Sequence, residues 1–285
     1  MFGIKPSHGR VPTGGALGLD PFLAYGPLTR TVAESALMMN VMAGPHRDDP
    51  LAVPARLRLP LNPGDIKGWK IALSMDLGYF EIDQDMVTNT LAAADALRDA
   101  GAIVDEVDLK WGNEAFEAAV AHYVMFSGYD HPDPMPAEQR ALLSDAARDY
   151  PDFMRAAPRQ HFDESEKYRA IMYADMAKLF RRYKVLITPA TAIPAVRADS
   201  PVKGVPLRIN GKEADPVWSW CLSYPFNMLG HLPSASAPSG PTSMGVPSGL
   251  QVVGRPFDEP SVFRVSAALE KVKPWMDCSQ RRPCL

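Results

Sequence analysis

Trp69-Lys70-Ile71-Ala72-Leu73-Ser74 is an apolar run of strand length, and a helical pattern follows it. Asp83 is placed to cap that helix, whose apolar face is Val87, Leu91, Ala94 and Leu97 and whose end is marked by Gly101. Ala102–Leu109 then reads as a second strand. A strand, a helix and a strand in this order form a unit with parallel strands and a right-handed crossover. This stretch sets the fold class as α/β.

Working towards the C-terminus, residues 114–127 and 137–150 carry helical patterns, separated by a Pro-rich turn at 131–136. In Glu164–Tyr183 the residues Tyr168, Ile171, Met172, Asp175, Leu179, Phe180 and Tyr183 share one mostly apolar face, which predicts a long helix. It feeds a buried strand, Lys184–Thr188, that ends at Pro189. Asp215-Pro216 is an N-cap followed by proline at the first helical position, predicting a helix over 216–229. Strands near Leu232–Pro238 and Gly249–Gly254 precede a last helix from Asp258. Towards the N-terminus, the capping box Thr31-Val32-Ala33-Glu34 opens a helix over 31–43 that stops at Gly44-Pro45. Residues 46–68 form a Pro-rich connection, and residues 1–30 read as an extended Gly/Pro-rich loop. The whole of 1–285 is expected to form a single α/β domain, with the 69–109 unit at its periphery.

Composition narrows the function. The chain has 285 residues, 46% hydrophobic and 22% charged, with a net charge of −3. That balance gives no reason to expect a nucleic acid or an anionic membrane as partner. No apolar run approaches the roughly 18 residues of a membrane span, and no secretory signal is read at the start, so the cytoplasm is the expected compartment. Cys221, Cys278 and Cys284 lack a C-x-x-C spacing and read as free thiols. The histidines at 8, 46, 122, 131, 161 and 231 are scattered, and no metal site or cofactor is expected. Gly14-Gly15-Ala16-Leu17-Gly18 neither follows a strand nor opens a helix, and Gly211-Lys212-Glu213 lacks the spacing of a phosphate loop. There is no G-x-S-x-G elbow. Serines 234, 236, 239, 243 and 248 have only His231 near them in sequence, so they read as strand and turn residues rather than nucleophiles.

Four blocks nevertheless occur in a telling order. They are Gly3-Ile4-Lys5-Pro6-Ser7-His8-Gly9-Arg10-Val11-Pro12; Gly26-Pro27-Leu28-Thr29-Arg30-Thr31-Val32-Ala33-Glu34-Ser35-Ala36; Tyr224-Pro225-Phe226-Asn227 with Gly230 and Pro233; and Pro238-Ser239-Gly240 with Gly245–Gln251 and Gly254-Arg255-Pro256. Together they resemble the amidase-signature family over nearly the whole chain. Leu186-Ile187-Thr188-Pro189 falls where that family ends a strand.

The resemblance implies a mixed β-sheet flanked by helices and an activity on carboxamide C–N bonds of a small-molecule amide. It also implies a Ser–cis-Ser–Lys triad, none of whose positions matches a residue here. We therefore expect the chain to be the C-terminal portion of an amidase, N-terminal part missing, inactive alone and with no catalytic residue of its own. The alternatives are a non-catalytic, partner-binding pseudoenzyme fragment, or the glutamine-amidase subunit of a tRNA-amidotransferase; a homo-oligomer is compatible with each. Arg10 and Arg30 are expected to be paired rather than catalytic. The resemblance places Trp218 and Phe226 near the substrate funnel. Thr188, Pro189 and Thr191 are expected to line the cleft, because ligands of α/β sheets gather beyond the carboxyl ends of strands.

Overall fold

The computed structural model describes residues 1–127, 136–143, 162–197, 206–216 and 218–276. Nine strands are described: β1 (Phe2–Lys5), β2 (Leu28–Thr29), β3 (Lys70–Leu73), β4 (Ile103–Glu106), β5 (Val185–Pro189), β6 (Leu207–Ile209), β7 (Lys212–Ala214), β8 (Ser234–Pro241) and β9 (Pro247–Gly254). The helices are α1 (Val32–Met42), α2 (Gln84–Asp99), α3 (Glu114–Ser127), α4 (Ala137–Arg140), α5 (Phe162–Leu179), α6 (Tyr224–Met228) and α7 (Glu259–Val272).

Seven strands form one mixed sheet in the order β2-β1-β8-β9-β5-β3-β4. β3 pairs with β4 and with β5 in parallel, while β5–β9, β9–β8, β8–β1 and β1–β2 are antiparallel. The β3–α2–β4 unit lies at one edge, as its compact local pattern predicted. β5 is buried at every position, with apolar layers on both sides.

The caps follow the sequence with one change. Thr31 Oγ1 accepts from Glu34 N at 3.2 Å, but the Glu34 carboxylate reaches back to Arg30 N at 3.0 Å and to the Arg30 guanidinium at 2.8 Å. Asp83 and Asp258 cap α2 and α7 through Asp85 N and Ser261 N.

Four expectations change. Residues 1–30 are not one loop: Phe2 and Ile4 bury into the core and draw β1 and β2 into the sheet. The 216–229 helix shrinks to α6. Pro225 has no N–H to give and so belongs to a first turn, which starts the helix at Tyr224. Before it, Asp215 closes a local turn with Trp218 N, and the chain then pairs Cys221 with Thr191. The 164–183 helix starts at Phe162 and ends at Leu179. Of the 137–150 helix, only Ala137–Arg140 is helical within the described residues, and 144–150 lie outside them.

β6 and β7 form a hairpin that the sequence reading left out. Asn210 and Gly211 both take positive φ, 49° and 80°, as a two-residue hairpin turn with Asn-Gly requires.

Candidate active-site cleft

β5 and β8 run in the same direction, since each is antiparallel to β9. A cavity of about 780 Å³ opens at their shared carboxyl end. Beside Met1, its walls come from three places. The turn after β5 gives Ala190 and Thr191; the β8–β9 hairpin gives Ser236 and residues 238–241 and 247–249; the segment after α7 gives Lys273–Met276. This is where an α/β sheet gathers a ligand.

The hairpin is held open by a polar knot. Ser239 and Ser248 hydroxyls lie 2.7 Å apart, Ser248 Oγ donates to Gly240 O at 2.9 Å, and Asn89 from α2 donates to Ser248 Oγ and Pro241 O, both at 2.9 Å. Gly240, where the β8 register shifts, has φ +143°; a Cβ there would sit 3.2 Å from Asn89 Oδ1. These serines are fully used as structure. Ser236 is different: it is exposed in the cleft wall, and among the described residues no lysine, histidine or carboxylate hydrogen-bonds its hydroxyl. Lys273 also lines the cleft, with its ammonium pushed below its ordinary range by burial. A serine without a hydrogen-bonded base is a weak nucleophile.

Of the five residues expected at the cleft, Thr191 lines it, with its hydroxyl donating to Ile193 O at 2.9 Å. Thr188 and Pro189 are buried in β5, opposite Gln251 and Leu250. Side chains alternate along a strand, so the strand end reaches the cavity only after Pro189. Phe226 is completely buried with its ring 6.0 Å from Trp111, which places it in the core rather than in the cleft. Trp218 is half-buried, edge-on to Tyr123 at 5.1 Å and to Tyr224 at 5.7 Å, and does not line the cavity. The sequence reading had Ser236 as a strand residue, which it is, but missed its place in the cleft wall and the Asn89 knot. The Pro238-Ser239-Gly240 and Gly245–Gln251 blocks were the available signal.

A second polar assembly lies beside β1. Arg10 pairs through Nε with Glu259 Oε2 at 3.1 Å and donates to Phe257 O at 3.0 Å, while Glu259 Oε1 accepts from Ser7 N. Arg30 pairs with Glu34 on the surface. Lys5 donates to Pro6 O and Gly230 O, and burial lowers its pKa to about 7 against an opposing pull from Glu259. His122, itself buried, bonds Asp20 at 2.8 Å. Among the described residues no group of three or more His, Cys, Asp or Glu could hold a metal ion, and no helix is long and apolar enough to cross a membrane. Cys221 is a free thiol; Cys278, Cys284, His131 and His161 lie outside the described residues.

Fold and cleft together describe an α/β protein with a cavity at the ends of its strands. Comparison with known proteins narrows that class: the family model for Amidase matches residues 1–263. The chain is 31% identical to an acylamidase of Rhodococcus erythropolis over 97% of its own length and 58% of that protein's. It is 29% identical to one subunit of the glutamyl-tRNA(Gln) amidotransferase of Lactococcus lactis, over 95% and 59%. A bacterial aryl acylamidase of known structure superposes with a TM-score of 0.85 at 30% identity, covering 99% of this chain and 61% of that one. The chain belongs to the amidase-signature family, a family of amide C–N hydrolases. It spans about three fifths of the length of these relatives.

Proposed function

We propose that the protein serves the hydrolysis of carboxamide C–N bonds in small molecules, in the cytoplasm, without a metal or cofactor. In this reading the cleft at the ends of β5 and β8 receives the amide, and the nucleophilic serine, bridging cis-serine and lysine belong to residues other than 1–285. The observation that carries it is the match with acylamidases over almost the whole chain, at 30–31% identity.

The chemistry divides accordingly. The serine oxygen attacks the carbonyl carbon while its proton passes through the bridging serine to the lysine. Backbone amides hold the oxyanion, the amine leaves with a proton, and water then cleaves the acyl ester. Residues 1–285 contribute walls to that site: Thr191 and the Ser236 strand on one side, Lys273–Met276 on the other. The similarity to the glutamyl-tRNA(Gln) amidotransferase protein supports a second reading, in which glutamine is the amide.

A serine-directed fluorophosphonate, with p-nitroacetanilide, butyramide and glutamine as substrates, tests both. Residues 1–285 alone should neither take the label nor turn over an amide. The same chain joined to the remaining portion of the Rhodococcus relative should take it on a serine of that portion. Faster glutamine turnover would favour the second reading. Hydrolysis by 1–285 alone that disappears in Ser236→Ala would sink the assignment.

A further inference from the structure

Lys273 carries the one charged side chain among the described residues that line the cleft, and no carboxylate stands beside it there. The residue ends α7, where a lysine ordinarily serves its helix by donating to the last carbonyls. This one does not. Its backbone N–H donates to Leu269 O, while its ammonium makes no hydrogen bond and no ion pair among the described residues. The side chain instead crosses to the β8–β9 hairpin, where Nζ stands 3.5 Å from the point that a Cβ on Gly240 would occupy. The polar groups around it are already spent. Ser239, Ser248 and Asn89 bond one another, and the Thr191 hydroxyl donates to Ile193 O. The Ser236 hydroxyl, on the same wall, makes no side-chain hydrogen bond among the described residues. Prolines and Trp275 supply much of the remaining wall. Lys273 is half-buried, and burial disfavours its charged form. A cation drawn partly out of water without a counter-charge destabilises the fold, and a bound anion would offset that cost.

We propose that Lys273 selects the ligand of the cleft by charge, pairing with a carboxylate, so that amides carrying a carboxylate are taken in preference to neutral ones. The ammonium offers three donors to the carboxylate oxygens, and the Ser236 hydroxyl offers one more on the same wall. Pro238, Pro241 and Pro274 give the aliphatic part of such a ligand an apolar surface. A ligand with an ammonium group gains no partner here, because the described lining has no carboxylate to meet it. In naming an amide as the ligand, the proposal rests on the amidase reading.

The test titrates residues 1–285 with succinamate and with its neutral counterpart succinamide, at neutral pH and low salt. It reads Kd, and the nuclear magnetic resonance shifts of the Gly240 and Gly249 amides place the ligand in the cleft. Succinamate should bind about tenfold more tightly than succinamide, the worth of a charge-assisted hydrogen bond reduced by partial exposure to water. Lys273→Met should remove that preference, and Lys273→Arg should keep most of it. Lys271→Met deletes the same charge from an exposed position outside the cleft wall and should leave the preference intact. The melting temperature of Lys273→Met should equal or exceed that of the parent, because no bond is lost; a lower one, with binding lost, would make Lys273 a structural residue and overturn the proposal. Failure of succinamate to bind, equal affinity for the two ligands, or a preference that survives Lys273→Met overturns it as well. Binding is read without turnover, so these outcomes judge the charge selection by itself. Succinamate that binds as expected, yet is not cleaved by the chain joined to the Rhodococcus portion, supports the anion site and counts against the amidase reading.

Discussion

The two faces of the central sheet are built from different chemistry. One layer, facing α1, α2 and α7, is mostly aliphatic: Val185 and Ile187 of β5 and Leu250 and Val252 of β9 meet Ala93, Leu97, Val262, Val265 and Leu269. The other layer takes Leu186 and Val253 from the same two strands and meets Trp111, Phe180, Tyr183, Tyr224 and Phe226. The aliphatic side is closed by shape; a Cβ on Gly254 would lie 2.7 Å from Val262. The aromatic side adds hydrogen bonds to packing. Tyr79 and Tyr224 hydroxyls meet at 2.8 Å, Tyr183 donates to Asp105 at 3.2 Å, and Gly112 N donates to Tyr168 at 3.1 Å. Burial pushes the Tyr79 and Tyr224 phenols above their ordinary range, so both stay neutral donors at working pH. Two neutral hydroxyls can share one bond where two charges could not. One face therefore supports the sheet, the other orients irregular segments against it, and the cleft lies at the sheet end between them.

The sharpest way to break the comparison is to remove one large aromatic from each face. Phe263 and Phe226 are both buried, at 1% and 0% exposure. Phe263→Ala and Phe226→Ala should each cost about 3–5 kcal/mol in urea unfolding. Phe226→Ala should disturb the near-ultraviolet dichroism more than Phe263→Ala does, through Trp111, whose ring centre lies 6.0 Å from that of Phe226. Equal spectral changes in both variants would mean that the faces are not separate. A smaller effect is expected at the bolt from the sheet to the aromatic side: buried Gln251 donates to Leu222 O at 3.1 Å. Gln251→Leu leaves that carbonyl unpaired and should cost about 1–3 kcal/mol. It should also raise hydrogen exchange at Ala192, whose N–H donates to Trp220 O in the turn that Gln251 holds.

Lys5 gives a pH-dependent test. Its ordinary pKa is 10.5, and burial lowers it to about 7 in the folded protein. Between those values the unfolded chain holds a proton that the folded chain has released, so this group makes stability rise with pH from about 7 towards 10.5. Below about 7 both states are protonated and the contribution is flat. Melting temperatures of the parent and of Lys5→Met, measured from pH 6 to 10, should diverge in that sense, the parent gaining relative to the variant as pH rises. Parallel curves would show that the ammonium is solvated in the folded state.

These tests bear on the parts of the molecule that differ in how far they could be read from sequence. The β3–α2–β4 unit was legible because its signals are local: an apolar run, a cap, a 3.6-residue period and a terminal glycine. β1 and β2 were not, since four and two residues carry too little period, and only distant partners, Ser234–Ser236 for β1, make them strands. Family blocks marked the polypeptide around the cleft, but not which side chains face it. Phe226 sits in such a block and is buried, whereas Ser236, between blocks, is exposed. A motif records which residues are kept together, and the facing of each depends on strand register and on where Pro225 lets the helix begin.

Thr188 carries the smallest expected effect and the most discriminating one. It was expected at the cleft because it ends a strand, but it lies fully buried opposite Gln251, and among the described residues its hydroxyl has no hydrogen-bond partner. Thr29 is a useful contrast: also buried, it donates to Thr31 O at 2.8 Å. Replacing a hydroxyl by a methyl of the same shape removes whatever bond the hydroxyl made and leaves packing nearly unchanged. For Thr29→Val that loss should cost about 1 kcal/mol. For Thr188→Val there is no bond to lose, and the desolvation of an unpaired hydroxyl is relieved, so stability should stay within about 0.5 kcal/mol or rise slightly. Both are read by the urea midpoint at constant slope. If Thr188→Val instead costs more than Thr29→Val, the hydroxyl has a partner in solution, and the aromatic layer above it is more open to water than its packing indicates.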